Sequence, residues 1–207
     1  MLQFNTTHLI IGIIGTWLVG MGRYWDDPGA STLQHLGLGS VIYIFALAAF
    51  IWLILLPFKI EKWRYKIVLT YISLTSFPAI FYAIPVERFL SLQIANHLNF
   101  WFLAIVAGWR LGLLYSFLKN FTGLSAGNIL TVTLMPICLI ITTLTILNLE
   151  RAVFDIMGGV RDKTASDASY AFLLFLTFIS TISTLPLLIA YVVGIYHNRR
   201  KSKLKNV

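Results

Sequence analysis

Residues 40–58 read SVIYIFALAAFIWLILLPF, and the eight that follow, KIEKWRYK at 59–66, include four basic residues. Nineteen positions without a charge match the roughly 20 that a helix needs to cross the hydrocarbon of a bilayer. Closed strands also satisfy the backbone in lipid, but a barrel is built of alternating segments of about 10 residues, whereas this run is continuously apolar. The stretch is a transmembrane helix that ends in a basic loop.

The rest of the chain repeats that pattern. It has 207 residues, 58% hydrophobic and 12% charged, with a mean hydropathy of +0.81; soluble domains carry about 25% charged residues. Apolar runs near 4–22, 39–58, 67–85, 99–118, 129–148 and 170–196 predict an all-α, polytopic bundle of about six spans. They form a single integral membrane domain over 1–207 with a basic tail at 197–207. The first run is the shortest, because its apolar part covers only Leu9 to Met21 and contains Gly12, Gly15 and Gly20; if it does not cross, the count is five. A cleaved signal peptide is disfavoured, since residues 1–8 hold no Lys or Arg and no A-x-A site follows.

Lys and Arg are retained on the cytoplasmic side of short loops, and their distribution sets an orientation. With both termini cytoplasmic, the loop between spans two and three, Arg110 and Lys119 around the end of span four, and the tail carry eleven of the sixteen basic residues and one of the eight acids. The outer loops keep five basic residues and seven acids. The net charge of +8 thus has a topological origin in a cell membrane, inner or plasma. It calls for no nucleic acid partner, because no basic patch sits on a folded soluble surface. The expected partner is the lipid bilayer itself, with the tail near anionic headgroups.

Motifs are scarce. The single Cys138 permits neither an intramolecular disulfide nor a thiolate metal site, and reads as a buried structural thiol. No Gly-rich phosphate loop, G-x-S-x-G or H-E-x-x-H occurs. No span carries a central lysine or an arginine ladder, so no cofactor, metal or voltage sensor is implied. Three spans place a hydroxyl residue three positions before a proline: Thr75 and Pro78, Thr133 and Pro136, Ser183 and Pro186. Proline frees a carbonyl and kinks a helix, and a nearby hydroxyl can re-satisfy the backbone where no water is available. Kinks of this kind either open a cavity or are ordinary membrane-helix irregularity. Gly12, Thr16 and Gly20 lie four apart and predict close helix packing, within the chain or against a membrane-protein partner.

The residues able to bind something gather in the outer loops. GMGRYWDDPGAS at 20–31 supplies Arg23, Tyr24, Trp25, Asp26 and Asp27, with His35 beyond it. The second loop supplies Glu87, Arg88, Asn96 and His97, and the third Glu150, Arg151 and Asp155. Arg23 or Arg88 can hold a phosphate or carboxylate through its planar fork, with Tyr24 and Trp25 stacking on a ring or sugar. The acids, with His35 or His97, offer acid–base or cation chemistry, but without diagnostic spacing. Adjacent Asp26 and Asp27 exceed what Arg23 needs for balance. The third loop is expected to prolong span five, or to form an amphipathic helix with Leu149, Val153, Ile156 and Val160 on one face, ending at Gly158-Gly159.

Arg110 sits near mid-depth if span four covers 99–118, and at the cytoplasmic interface if it covers 89–109, in which case Gln93, Asn96 and His97 enter the membrane. It either snorkels to the headgroups or faces the bundle as a binding charge. The leading expectation is a transport-type or ligand-binding membrane protein whose small or lipid-like ligand is reached from outside. Two alternatives stand beside it: an intramembrane enzyme using the outer carboxylates and arginines on lipid-linked substrates, and a non-catalytic accessory subunit. The lack of a catalytic motif points away from the enzyme.

Overall fold

The computed structural model describes residues 5–25, 29–149 and 167–205, and among them no strand occurs. The helices are α1 (Thr6–Gly22), the short α2 (Thr32–His35), α3 (Leu38–Leu55), α4 (Tyr65–Leu74), α5 (Leu92–Thr122), α6 (Ala126–Ile146) and α7 (Asp167–Lys205). Three 3-10 segments accompany them, at Leu56–Phe58, Phe77–Ala83 and Val86–Arg88. Among the described residues four segments are long and apolar enough to cross a membrane: Leu38–Phe58, His97–Thr122, Ala126–Ile146 and Phe172–Arg200. A fifth is α4 with Phe77–Ala83, bent by 40° at the break. Ile182, Leu185, Ile189, Val192 and Val193 of α7 are all more than half exposed, an apolar surface that lipid covers and water would not tolerate.

The chain divides into two compact units, residues 1–89 and 90–207. In the first, α1 runs parallel to α4 and its 3-10 continuation. Lys66 Nζ donates to Thr6 Oγ1 (2.9 Å) at one end, Thr16 Oγ1 reaches the Ser73 carbonyl (3.1 Å) midway, and Trp25 Nε1 donates to the Ala83 carbonyl (2.9 Å) at the other. α3 runs back between them in direction, with Ser40 beside Gly20 and Trp52 edge-on to Tyr65 at 6.1 Å. The 17-residue α1 rises about 25 Å at 1.5 Å per residue. Its start is fixed by a capping box: the Asn5 side chain accepts from Thr6 N–H, and His8 Nδ1 accepts from Asn5 N–H.

The small-residue face of α1 packs inside this unit. A methyl at Gly12 would overlap the Ser73 side chain, and one at Gly20 would lie 2.6 Å from Ser40 Oγ. Close backbone approach replaces hydrophobic drive, which is absent between helices in lipid. Hydroxyls in the interior donate to carbonyls of their own helix: Thr70 to Lys66 (2.7 Å), Ser73 to Thr70 (2.9 Å) and Thr75 to Ile72 (2.8 Å). Gly37 starts α3 at φ +66°, and a Cβ there would lie 2.7 Å from both Met21 N and Trp17 O. Both the backbone angle and the approach require glycine.

In the second unit α5 turns into α6 through residues 123–125, with Gly123 at φ +65° closing α5 and the Ser125 side chain accepting from Asn128 N–H (3.4 Å). α6 packs chiefly on α7, where the Thr142 and Thr184 hydroxyls meet at 2.9 Å. Phe100 and Phe172 meet edge to face at 5.3 Å, joining the beginnings of α5 and the apolar part of α7. Cys138 is buried, as the sequence implies.

The three prolines behave differently. Pro78 ends a helix: α4 stops at Leu74 and a 3-10 segment takes over. Pro136 and Pro186 stay inside continuous helices. The expected hydroxyl compensation occurs locally at Thr75 but not at Thr133, whose buried Oγ1 has no hydrogen-bond partner among the described residues. At Pro186 the cross-helix contact comes from Thr184 rather than Ser183, because Thr184 is the residue set opposite Thr142.

The expectation that span five continues past residue 149 is corrected. α6 ends at Ile146, Asn148 turns left-handed at φ +54°, and Leu149 N–H donates back to the Leu144 carbonyl (2.8 Å), a closed helix terminus. The proposed amphipathic stretch, from residue 150 on, lies outside the described residues.

Candidate functional site

The residues that converge lie at the end of the first unit where α1 and the Phe77–Ala83 segment finish together. Arg23 is the C-cap of α1, with its N–H on the Val19 carbonyl (3.1 Å). Its guanidinium lies over two rings, 5.3 Å from the centroid of Tyr24 and 5.1 Å from that of Tyr82. Trp25 is anchored by its indole N–H on the Ala83 carbonyl (2.9 Å), and Arg88 stacks on that indole at 4.8 Å. Ala83 is therefore the hub: its neighbour Tyr82 holds one arginine and its carbonyl holds the ring that carries the other. Gly22 lets α1 come this close, since a Cβ there would lie 3.1 Å from the Ala83 methyl.

Cation–π contacts of this length contribute about 0.5–1 kcal/mol each where exposed and more where water is excluded. Arg23 and Tyr82 are half-buried, while Arg88 and Trp25 are exposed. Both guanidiniums thus sit over aromatic rings, which limits where each cation can move. The sequence reading gave Tyr24 and Trp25 to a ligand's ring. In the structure Arg23 lies over Tyr24 and Arg88 over Trp25. Tyr82 was not singled out, and no local pattern marks it; it is found only when α1 and the 3-10 segment are known to run in parallel.

The other residues are more dispersed. Glu87 belongs to the 3-10 turn Val86–Arg88, its side chain outside the described set. His35 ends α2 half-buried. His97 is exposed and Arg110 half-buried, both on α5 of the second unit. The 31 residues of α5 extend about 46 Å, more than the roughly 30 Å of hydrocarbon, so one helix holds the whole of the 99–118 register weighed for span four and, from Leu92 on, the 89–109 register. Arg110 lies 12 residues before Thr122, about 18 Å along the axis. Asp26, Asp27, Glu150, Arg151 and Asp155 lie outside the described residues.

Among the described residues no group of three His, Cys, Asp or Glu side chains is placed to hold a metal. What the described residues show here is two guanidiniums set over aromatic rings beside exposed apolar side chains. No protein-family model matches the chain, and neither does any curated protein or solved structure. Function therefore rests on this geometry alone.

Proposed function

We propose that the chain is a six-span membrane protein, with both termini cytoplasmic, that binds a small or lipid-like ligand at the arginine–aromatic end of its first unit, reached from the outer side. The observation that carries the reading is the pair of guanidiniums, Arg23 and Arg88, fixed by rings on either side of Ala83. Support for α1 as the sixth span comes from its course, which keeps level with the bent segment from Lys66 to Ala83. Its rise of about 25 Å approaches the hydrocarbon thickness, and Arg23 to Trp25 extend it into the interface, where aromatic residues gather.

Support for the orientation comes from charge. Lys59, Lys62, Arg64 and Lys66 all belong to the end of this unit opposite Arg23, the arrangement that retains them in the cytoplasm. A transport role draws on the broken segment Tyr65–Ala83, since discontinuous helices form the substrate-side elements of many transporters. That last step is analogy of architecture.

The test is a thermal-shift screen of detergent-solubilised protein against lipids and small metabolites, repeated with Arg23→Gln. A saturable stabilisation that the variant loses is the expected result. The absence of any saturable ligand, or one bound equally by the variant, overturns the reading.

A further inference from the structure

We propose that the stretch 59–66, at the end of the first unit opposite Arg23, is a docking surface for the headgroups of anionic phospholipids. The inference goes beyond the ligand-binding reading and uses none of its residues. Lys59, Lys62, Arg64 and Lys66 are all exposed. Lys66 donates to Thr6 Oγ1 (2.9 Å). Among the described residues the side chains of Lys59, Lys62 and Arg64 make no hydrogen bond or ion pair, and the exposed Glu61 pairs with none of them. The backbone that carries these open cations is nonetheless fixed. Lys59 N–H donates to the Leu56 carbonyl (3.1 Å) and Trp63 N–H to the Ile60 carbonyl (3.3 Å), closing a turn around Glu61 and Lys62.

The positions of two of the lysines point to a use for their charge. The described residues take positive φ at five places, and Gly37, Gly123 and Asn148 are residues that such a backbone favours. The other two are Lys59 (φ 52°) and Lys62 (φ 60°), where glycine would be the unstrained choice. Holding a loop on one side of a membrane depends on how many cations it carries within reach of the span, and that count does not require lysine at these two strained positions. Depth selects the partner. Trp63 Nε1 donates to the Trp52 carbonyl (3.2 Å), Trp52 meets Tyr65 edge-on at 6.1 Å, and the Tyr65 hydroxyl donates to the Phe45 carbonyl (3.1 Å). Tryptophan and tyrosine gather where hydrocarbon gives way to headgroups, and the exposed Leu53 and Leu56 (54 and 41%) lie on the chain just before the loop. The cations therefore sit at the level of lipid phosphates. In the orientation proposed above they meet the cytoplasmic leaflet, the one rich in anionic lipid.

The experiment uses the full-length protein in dodecylmaltoside micelles, titrated with phosphatidylglycerol and with zwitterionic phosphatidylcholine, and reads the thermal midpoint against the lipid fraction in the micelle. The expected result is saturable stabilisation by phosphatidylglycerol alone, screened at high salt. Each of Lys59→Gly, Lys62→Gly and Arg64→Gln should weaken it about fivefold. Without lipid, the two glycine variants should match or exceed the parent midpoint, because the left-handed backbone is then unstrained. Lys119→Gln removes an exposed cation of the second unit and should bind as the parent does. Equal stabilisation by phosphatidylcholine, unchanged affinity in all three loop variants, or an equal loss in Lys119→Gln overturns the proposal. So does a lipid-free midpoint that falls in both glycine variants. Stabilisation reproduced by soluble glycerol 3-phosphate would make the partner a soluble anion and also overturn it. If a glycine variant does not fold, Arg64→Gln carries the test. Loss of this surface leaves the Arg23 reading untouched, since Arg23→Gln is assayed with its own ligand.

Discussion

Gly37 and Gly123 share almost the same backbone angle, φ +66° and +65°, in very different surroundings. That pair allows a controlled measurement of how tightly the first unit is packed. An alanine in the left-handed region costs about 1–2 kcal/mol, and replacing glycine recovers about 0.4–1 kcal/mol by restricting the unfolded chain. At Gly123 nothing lies within 4 Å of a new Cβ, so Gly123→Ala should lose about 1 kcal/mol. At Gly37 the Cβ would sit 2.7 Å from Met21 N and 2.7 Å from Trp17 O, both backbone atoms of α1. Neither can swing aside, and relief requires α1 and α3 to separate, which adds about 1–3 kcal/mol of overpacking. Gly37→Ala should therefore lose about 2–4 kcal/mol in all. The assay is the thermal midpoint in detergent, followed by intrinsic fluorescence. At about 2–4 °C per kcal/mol for a chain of this size, the two variants should differ by several degrees. Equal midpoints would refute the close contact of α1 with the start of α3.

Further expectations follow from named contacts. Gly12→Ala overlaps the Ser73 side chain and should cost about 1–3 kcal/mol; adding Ser73→Gly should restore most of it, and a double-mutant cycle with no coupling would contradict the packing. Thr184 donates to the Ser180 carbonyl (2.7 Å), which leaves Thr142 as donor across the α6–α7 seam. Thr142→Val should then cost about 0.6 kcal/mol, the average for such bonds in a membrane. The pair Thr142→Val with Thr184→Val should lose less than the sum of its singles; strict additivity would place the two hydroxyls apart.

The sequence made the helices legible because membrane length is a local property. Residues 39–58 read as a span, and α3 with its terminal turn covers Leu38–Phe58, since solvent alone decides which residues enter lipid. The break at Pro78 was legible as a kink, though not as the end of a helix; only Pro78 loses its α-helix, and the motif at Pro136 and Pro186 is the same. What the sequence could not supply was pairing. Parallel alignment of α1 with Tyr65–Ala83 depends on Gly12, Thr16 and Ser73 fitting one another, a contact 57 residues apart in the chain. That alignment alone brings Tyr82 under Arg23. Likewise, an aromatic residue can stack on a ligand or on the protein's own arginine, and composition does not choose between them. The apolar run placed the end of span five near residue 148, close to the observed end of α6 at Ile146, but the helix stop itself was not legible because Asn148 adopts the left-handed conformation that a glycine would have advertised.

The central claim is that Arg23 and Arg88 face the outer side while Lys59 to Lys66 face the cytoplasm, with α1 and α3 both crossing. Single cysteines at three exposed positions, Thr7→Cys, Ser31→Cys and Glu61→Cys, test it in intact cells with a membrane-impermeant maleimide, the buried native Cys138 serving as the background. The account predicts labelling at position 31 alone, with positions 7 and 61 reacting only after permeabilisation. Labelling of positions 7 and 31 from the same side would contradict it.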